Sequence, residues 1–133
     1  MASKTTKTQA PGRPGGRTRP RGSRQKALLA AEILAAKKAQ DTVVLDLRKL
    51  TVIADYFVVC TGISETHVRA LAQELLERFK ELRLPSAAAQ GVADGHWALL
   101  DFGDVIVHIF GGFERGFYDL ERLWGDAPVT EVA

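Results

Sequence analysis

The sequence lacks several features that would each define a class of protein. Among its 133 residues there is one cysteine, Cys60, so no disulfide can form within the chain. A lone thiol fits a reducing compartment, and we expect the protein in the cytoplasm. No apolar run approaches the roughly 20 residues that a membrane-spanning helix needs. We therefore expect neither a disulfide-stapled secreted domain nor a membrane partner.

Acidic residues are missing from the first 26 positions, where eight of the 18 lysines and arginines lie. The rest of the chain holds the other ten against all 16 acids, a net charge of −6. Because phosphate affinity comes from cations, this acidic part is a poor binder of nucleic acid by itself. It suits a basic protein partner, and any RNA contact would come from the basic segment.

Large apolar side chains are nearly absent from residues 1–22, which are rich in Pro, Gly, Arg, Ser and Thr. Such a segment cannot bury enough surface to offset its ordering entropy, so we predict a disordered basic tail. It lacks the apolar core of a secretory signal. A solvated tail, an RNA-contacting tail and an organellar address remain open interpretations.

The apolar periodicity over 23–126 predicts one α/β domain. Its clearest element is a helix that Ser64 can cap and that ends before Pro85. A β-branched and aromatic strand over 55–61 is expected at the centre of the sheet. The other predicted elements are helices over 23–40 and 114–124, strands over 42–47, 97–102 and 105–110, and an edge strand or loop over 86–93. These elements predict a mixed sheet of about four to five strands flanked by helices, followed by a short frayed C-terminal tail over 127–133.

The stretch 94–124 contains both tryptophans and most of the polar aromatic side chains. Gly103-Asp104 separates two apolar runs, which predicts a tight hairpin. On its first strand, Trp97 alternates with Leu99 and Asp101 and so shares a face with them. Tryptophan and tyrosine dominate protein interfaces, although core packing is the alternative for each of them singly. The stretch therefore predicts a surface that binds a protein.

Two aspartates in the hairpin could indicate an enzyme instead. Asp101-Phe102-Gly103 matches the magnesium motif of kinases in three letters only, and the other kinase motifs are missing. Asp101 and Asp104 could serve a metal-dependent nucleotidyltransferase. Residues three apart around a turn do not converge as residues two apart on a strand do. Solvated or turn-capping aspartates and partner-facing acids are therefore favoured over metal ligands.

The cysteine and the three histidines show no spacing typical of a zinc site. Cys60 lies in a predicted buried strand, where a free cysteine is usually a small apolar residue. His108 alternates with Ile106 and Phe110 on one strand face, which favours a hydrogen-bonded structural histidine over a ligand. The glycine-rich segment 111–116 lacks the lysine of a phosphate-binding loop. No cofactor or metal is predicted.

Three motifs make the chain resemble a known family. They are ADYFVVCTGISETHV over 54–68, GHWALLDFGDVIVHIF over 95–110 and RGFYDLERLW over 115–124. The resemblance runs from about Gln25 to Trp124 and is to the ribosomal silencing factor S family, RsfS or Iojap. The basic tail lies outside it.

The resemblance implies a non-enzymatic factor with a fold related to nucleotidyltransferases but without their catalytic carboxylates. Such factors bind the large ribosomal subunit through ribosomal protein L-fourteen and block joining of the small subunit, which represses translation. Free members can form homodimers. Carried over by position, the partner-binding residues would be Trp97 as the apolar anchor, Asp101 and Asp104 as partners of basic residues, and Arg115 with Tyr118. The alternatives are the nucleotidyltransferase-like enzyme and an RNA-binding module that uses the basic tail.

Overall fold

The computed structural model describes residues 19–132, apart from the side chains of Phe117 and Tyr118. Most of the predicted basic tail, residues 1–18, therefore lies outside the described residues. Within 19–132, no helix is long and apolar enough to cross a membrane.

The described residues form four helices and six strands. In order they are α1 (Gly22–Ala36), β1 (Gln40–Asp46), β2 (Tyr56–Gly62), α2 (Glu65–Glu81), β3 (Ala88–Gln90), β4 (Trp97–Asp101), β5 (Val105–Gly111), α3 (Gly112–Tyr118), α4 (Leu120–Leu123) and β6 (Val129–Glu131).

The strands form one mixed sheet in the order β3-β4-β5-β2-β1-β6. Strands β2 and β5 are parallel, and the other neighbouring pairs are antiparallel. All seven residues of β2 are buried, as expected for a central strand whose two faces are both covered. The predicted α/β class and mixed sheet are confirmed. The predicted strand number is too low, because the described sheet has six strands.

Helix α2 shows how local sequence sets an element. The Ser64 hydroxyl accepts a hydrogen bond from the His67 backbone N–H at 3.1 Å, and Glu65 lies in the first turn, where the helix dipole favours an anion. The apolar side chains that recur every three or four residues are buried: Val68, Leu71, Ala72, Leu75 and Phe79. Helices α1 and α2 pack on the same face of the sheet and form its larger hydrophobic core there.

The other face of the sheet carries a smaller core. Residues of β1, β2 and β5 pack there against Leu120 of α4 and Ala127, with Trp97, Ile106 and Trp124 partly buried around them. Strand β3, at the sheet edge beyond β4, is exposed along its whole length. This face is therefore covered over its middle and left partly open over β4.

Two expectations for the C-terminal region are wrong. The predicted helix over 114–124 is two short helices, because the backbone turns at Asp119 with φ of 21°. The predicted frayed tail contains β6, which pairs with the outer edge of β1 through residues 129–131. The Asp46 N–H donates to the Pro128 carbonyl at 2.9 Å and the Val132 N–H to the Thr42 carbonyl at 2.8 Å. Strand β6 thus satisfies backbone groups that the edge of β1 would otherwise leave unpaired.

We predict that deleting residues 127–133 lowers the free energy of unfolding by about 2–4 kcal/mol, since several backbone hydrogen bonds and the buried Ala127 are lost. Urea unfolding followed by circular dichroism measures it. A chain lacking residues 1–18 keeps every described contact and is the control. An unchanged midpoint after the C-terminal deletion would show that β6 is frayed in solution.

Candidate functional site

Strands β4 and β5 present one partly open sheet face. Their register sets Trp97 opposite Phe110, Leu99 opposite His108 and Asp101 opposite Ile106. Burial alternates along β4: Ala98 and Leu100 are buried on the other side, and the remaining three residues of the strand are half-buried. The open face is the surface formed by Trp97, Leu99, Asp101, Ile106 and His108. Within the described residues it stays partly exposed, except at the buried His108.

Trp97 lies in an aromatic cluster at one end of the open face. Its ring stacks on that of Phe110, with centroids 5.0 Å apart and an interplanar angle of 30°. Its indole Nε1–H donates a hydrogen bond to Nδ1 of His108 at 3.2 Å. Phe57 meets the His108 ring edge-on at 4.6 Å and extends the cluster to Trp124 at 6.0 Å. The indole is thus held on two sides while remaining partly exposed.

His108 is only 5% exposed, and burial lowers the pKa of its imidazole to about 4. The ring is therefore neutral at pH 7. Because an indole N–H can only donate, Nδ1 is the acceptor and the ring proton lies on Nε2. Nε2 is buried and has no hydrogen-bond partner among the described residues. The expectation of a fully hydrogen-bonded structural histidine therefore holds for only one of the two ring nitrogens.

The two hairpin aspartates are both engaged within the chain. Asp101 Oδ1 accepts a hydrogen bond from the Gly103 N–H at 2.8 Å, so it caps its own turn, where Gly103 has φ of 89°. Asp104 Oδ1 pairs with Lys26 Nζ at 2.6 Å, and the same ammonium donates to the Phe102 carbonyl at 3.0 Å. These contacts tie α1 to the hairpin. Among the described residues, no group of three or more His, Cys, Asp or Glu side chains is arranged to hold a metal ion.

Arg115 is also committed to internal contacts. Its guanidinium donates to Thr61 Oγ1 at 2.8 Å and to the Asp41 carbonyl at 2.9 Å, and it pairs with Glu121. The side chain is 13% exposed. Arg115 therefore joins α3 to β1, β2 and α4. The sequence predicted it as a partner-binding residue beside Tyr118 and did not indicate these internal contacts. The side chain of Tyr118 lies outside the described residues, and its role stays a prediction.

Other candidate groups have structural explanations or were missed. Burial raises the pKa of the Cys60 thiol to about 12, so it is not a nucleophile at neutral pH. His96 Nε2 lies 2.8 Å from a carboxylate oxygen of Glu65, an exposed contact that spacing did not reveal. The loop between β1 and β2 exposes Val52 and Ile53. Two adjacent apolar residues between the two predicted strands were the available sequence signal for this exposed pair.

The fold and the open face define a class: a small α/β domain with a mixed sheet, two helices on one face and an aromatic surface on the other. The chain belongs to the ribosomal silencing factor family, whose model, described as "Ribosomal silencing factor during starvation", matches residues 20–133. The family predicted from the three motifs is therefore confirmed. Relatives from maize and Arabidopsis carry the name Iojap.

Individual relatives agree. Ribosomal silencing factor RsfS of Bacillus subtilis is 39% identical over 110 residues, which are 81% of this chain and 93% of the relative. RsfS of Halalkalibacterium halodurans is 41% identical over 78% of this chain and 89% of its own. A crystal structure of a protein from Chromobacterium violaceum superimposes with a TM-score of 0.74 at 36% identity, covering 78% of this chain and 88% of that one. The Bacillus and Halalkalibacterium relatives are named as silencing factors, and that name describes a regulator.

We predict that His108 makes the fold less stable as the pH falls. Its pKa is about 4 in the folded chain and about 6.5 when unfolded. As pH falls below the unfolded value, the unfolded chain binds the proton first, so stability present above about pH 6.5 is lost as pH approaches 4. Between pH 7.5 and pH 5 this group should cost about 2 kcal/mol.

The measurement is the difference in urea-unfolding free energy between the two pH values. Replacing His108 with Phe should remove about that much of the pH dependence, because the variant cannot take up the proton. Ile63→Ala, at an exposed site that carries no titratable group, is the control and should leave the dependence near that of the wild type. Equal pH dependence in all three chains would show that His108 is not buried and neutral in solution.

Proposed function

We propose that the protein binds the large ribosomal subunit through ribosomal protein L-fourteen, and that it blocks joining of the small subunit by occupying the same surface. Translation is repressed because the two subunits cannot pair. The observation that supports this most is the open face, where Trp97 is held by a hydrogen bond and lies beside half-buried apolar residues. The chain also belongs to a ribosomal silencing factor family. The mechanism is steric competition and requires no catalytic group.

The open face has the composition of a protein-binding surface. Tryptophan is among the residues that most often dominate interface energies, and burying one removes roughly 150–250 Å² from water. Trp97, Leu99 and Ile106 form the apolar centre, and Asp101 lies at its edge with one carboxylate oxygen bonded to its own turn. The part of the chain from residue 27 onward has a net charge of −6, which favours a basic partner such as L-fourteen is expected to be.

The predicted contact residues contribute in different ways. Trp97 is the apolar anchor, and Asp101 meets a lysine or arginine of the partner through its remaining oxygen. Asp104 would have to share its carboxylate with Lys26 to do the same. Arg115 acts from behind the surface, because its guanidinium holds α3 and α4 on the sheet. Tyr118 follows on α3 and is proposed as a further contact.

The free protein would pair with a second copy of itself through the open face. An exposed apolar surface with a tryptophan favours self-association when no other partner covers it. The homodimer and the ribosomal complex would then exclude each other. The nucleotidyltransferase alternative has no supporting contact among the described residues, because Asp101 caps its turn and Asp104 binds Lys26.

Contact with ribosomal RNA is proposed as a secondary interaction. The positive charge of the N-terminal segment continues into the described chain at Arg19, Arg21 and Arg24, and the first turn of α1 contains no acid. Cations at this position can neutralise RNA phosphates. We place the protein in the cytoplasm, where bacterial ribosomes work and where a single free cysteine stays reduced.

We predict that Trp97→Ala reduces affinity for purified large subunits at least about 30-fold, the equivalent of roughly 2 kcal/mol for an interface hot spot. Co-sedimentation through sucrose measures binding, and the yield of joined ribosomes measures antiassociation. Ile63→Ala is the matched control, since Ile63 is an exposed apolar residue outside the open face. A folded Trp97→Ala variant that still co-sediments like the wild type would refute the proposed site.

We also predict that deleting residues 1–18 retains most of the binding to large subunits, because the open face is intact. The deletion removes four cations, Lys4, Lys7, Arg13 and Arg17, so the salt dependence of binding should become shallower. Binding isotherms at two potassium chloride concentrations measure it. Complete loss of binding would instead favour the RNA-binding module led by the tail.

A further inference from the structure

His108 is the one residue of the open face that combines a polar ring with nearly complete burial. We propose that His108 is the positioning residue that holds the indole of Trp97 in its docking orientation. The proposal rests on the proposed function, because it concerns how the same surface is prepared for its partner. The role is to orient the indole through a hydrogen bond, and a side chain that only packs cannot do this.

Trp97 needs a directional contact to adopt one orientation. Stacking on Phe110, with centroids 5.0 Å apart, fixes the plane of the indole approximately. The indole can still flip to its opposite orientation while it keeps that plane, because stacking does not distinguish the two orientations. The hydrogen bond from Nε1 to His108 Nδ1 at 3.2 Å distinguishes the two ring orientations. The pair of contacts therefore selects a single placement of the exposed indole edge.

The chemistry of the site explains why the residue is histidine. An indole N–H can only donate, so its partner must offer a lone pair, and neutral imidazole offers one on Nδ1. The rings that contact His108 belong to Phe57, Trp97 and Phe110, and none of them titrates or carries charge. The imidazole is consequently kept neutral by its surroundings and keeps its lone pair available.

The other ring nitrogen strengthens the argument. Nε2 carries the proton, is buried and has no partner among the described residues. Leaving a buried donor unpaired is unfavourable, and a phenylalanine would fill the same space without that cost. A side chain chosen for packing alone would therefore be apolar. The lone pair on Nδ1 is the feature that histidine adds.

Holding the indole in advance affects binding more than folding. A side chain that is already fixed loses less conformational freedom when the partner arrives, so the complex is tighter and dissociates more slowly. Without His108 the indole would still stack, but part of the population would present the wrong edge. The partner would then bind only the correctly oriented fraction.

Two substitutions separate the lone pair from the ring. His108→Phe keeps the ring and removes the acceptor, whereas His108→Asn loses the ring and keeps an acceptor oxygen near the position of Nδ1. We expect His108→Phe to unfold at a urea midpoint no lower than that of the wild type at pH 7.5. Its affinity for purified large subunits should fall about three- to tenfold, the worth of one hydrogen bond. Folded His108→Asn should bind within about twofold of the wild type.

The indole N–H proton resonance of Trp97 gives a readout that a packing role would not produce. The signal is assigned by its absence in Trp97→Phe. It should move and broaden in His108→Phe and stay close to the wild-type position in His108→Asn. If His108→Phe fails to fold, His108→Leu supplies the acceptor-free chain.

A double-mutant cycle separates this proposal from the proposed function. In the Trp97→Ala background, His108→Phe should have no further effect on subunit binding, because the group that it positions is gone. If Trp97→Ala itself leaves binding intact, the proposed site is wrong. If Trp97→Ala weakens binding but His108→Phe does not, or if His108→Asn weakens it equally, the positioning role is overturned and the proposed site stands.

Discussion

The structure depends on the parallel pairing of β2 with β5 at the centre of the sheet. Because β2 is buried along its whole length, both faces of the sheet must be covered there. Helices α1 and α2 cover one face and form the larger core there. On the other face, the short α4 and the C-terminal segment pack on the smaller core over β1, β2 and β5, and α3 lies beside β2 and β5. The uncovered remainder is the open face, so the surface follows from an uneven distribution of helices around one buried strand.

Two charged side chains attach helices α1 and α3 to the sheet. Lys26 joins α1 to the hairpin through Asp104, and Arg115 joins α3 to β1 and β2. Both cations are largely buried, and each has several oxygen partners, which offsets the cost of removing a charge from water. Residues that a local motif assigns to a partner are thus used first to assemble the surface. Under the proposed function, the contact with a partner would fall mainly to the apolar residues that remain.

The sequence predicted elements whose pattern is local and missed contacts whose partners are distant. The alternation on β4 and the helical period of α2 are written in neighbouring residues, and both are confirmed. Lys26 bonds a carbonyl 76 positions away, and Arg115 bonds a hydroxyl 54 positions away, so no window of sequence contains either pair. Strand β6 was missed for the same reason, since three exposed residues become a strand only beside β1.

If the proposed function holds, folding and binding use the same side chains on the open face. Trp97 packs against the smaller core and stays partly exposed, while Phe57 and Phe110 beside it are buried. A residue in this position cannot be optimised for burial alone, because the indole must remain reachable. Stability there comes instead from stacking and one hydrogen bond, which fix the ring without covering it. An unpaired nitrogen on His108 is consistent with a surface shaped for a partner rather than for maximal stability.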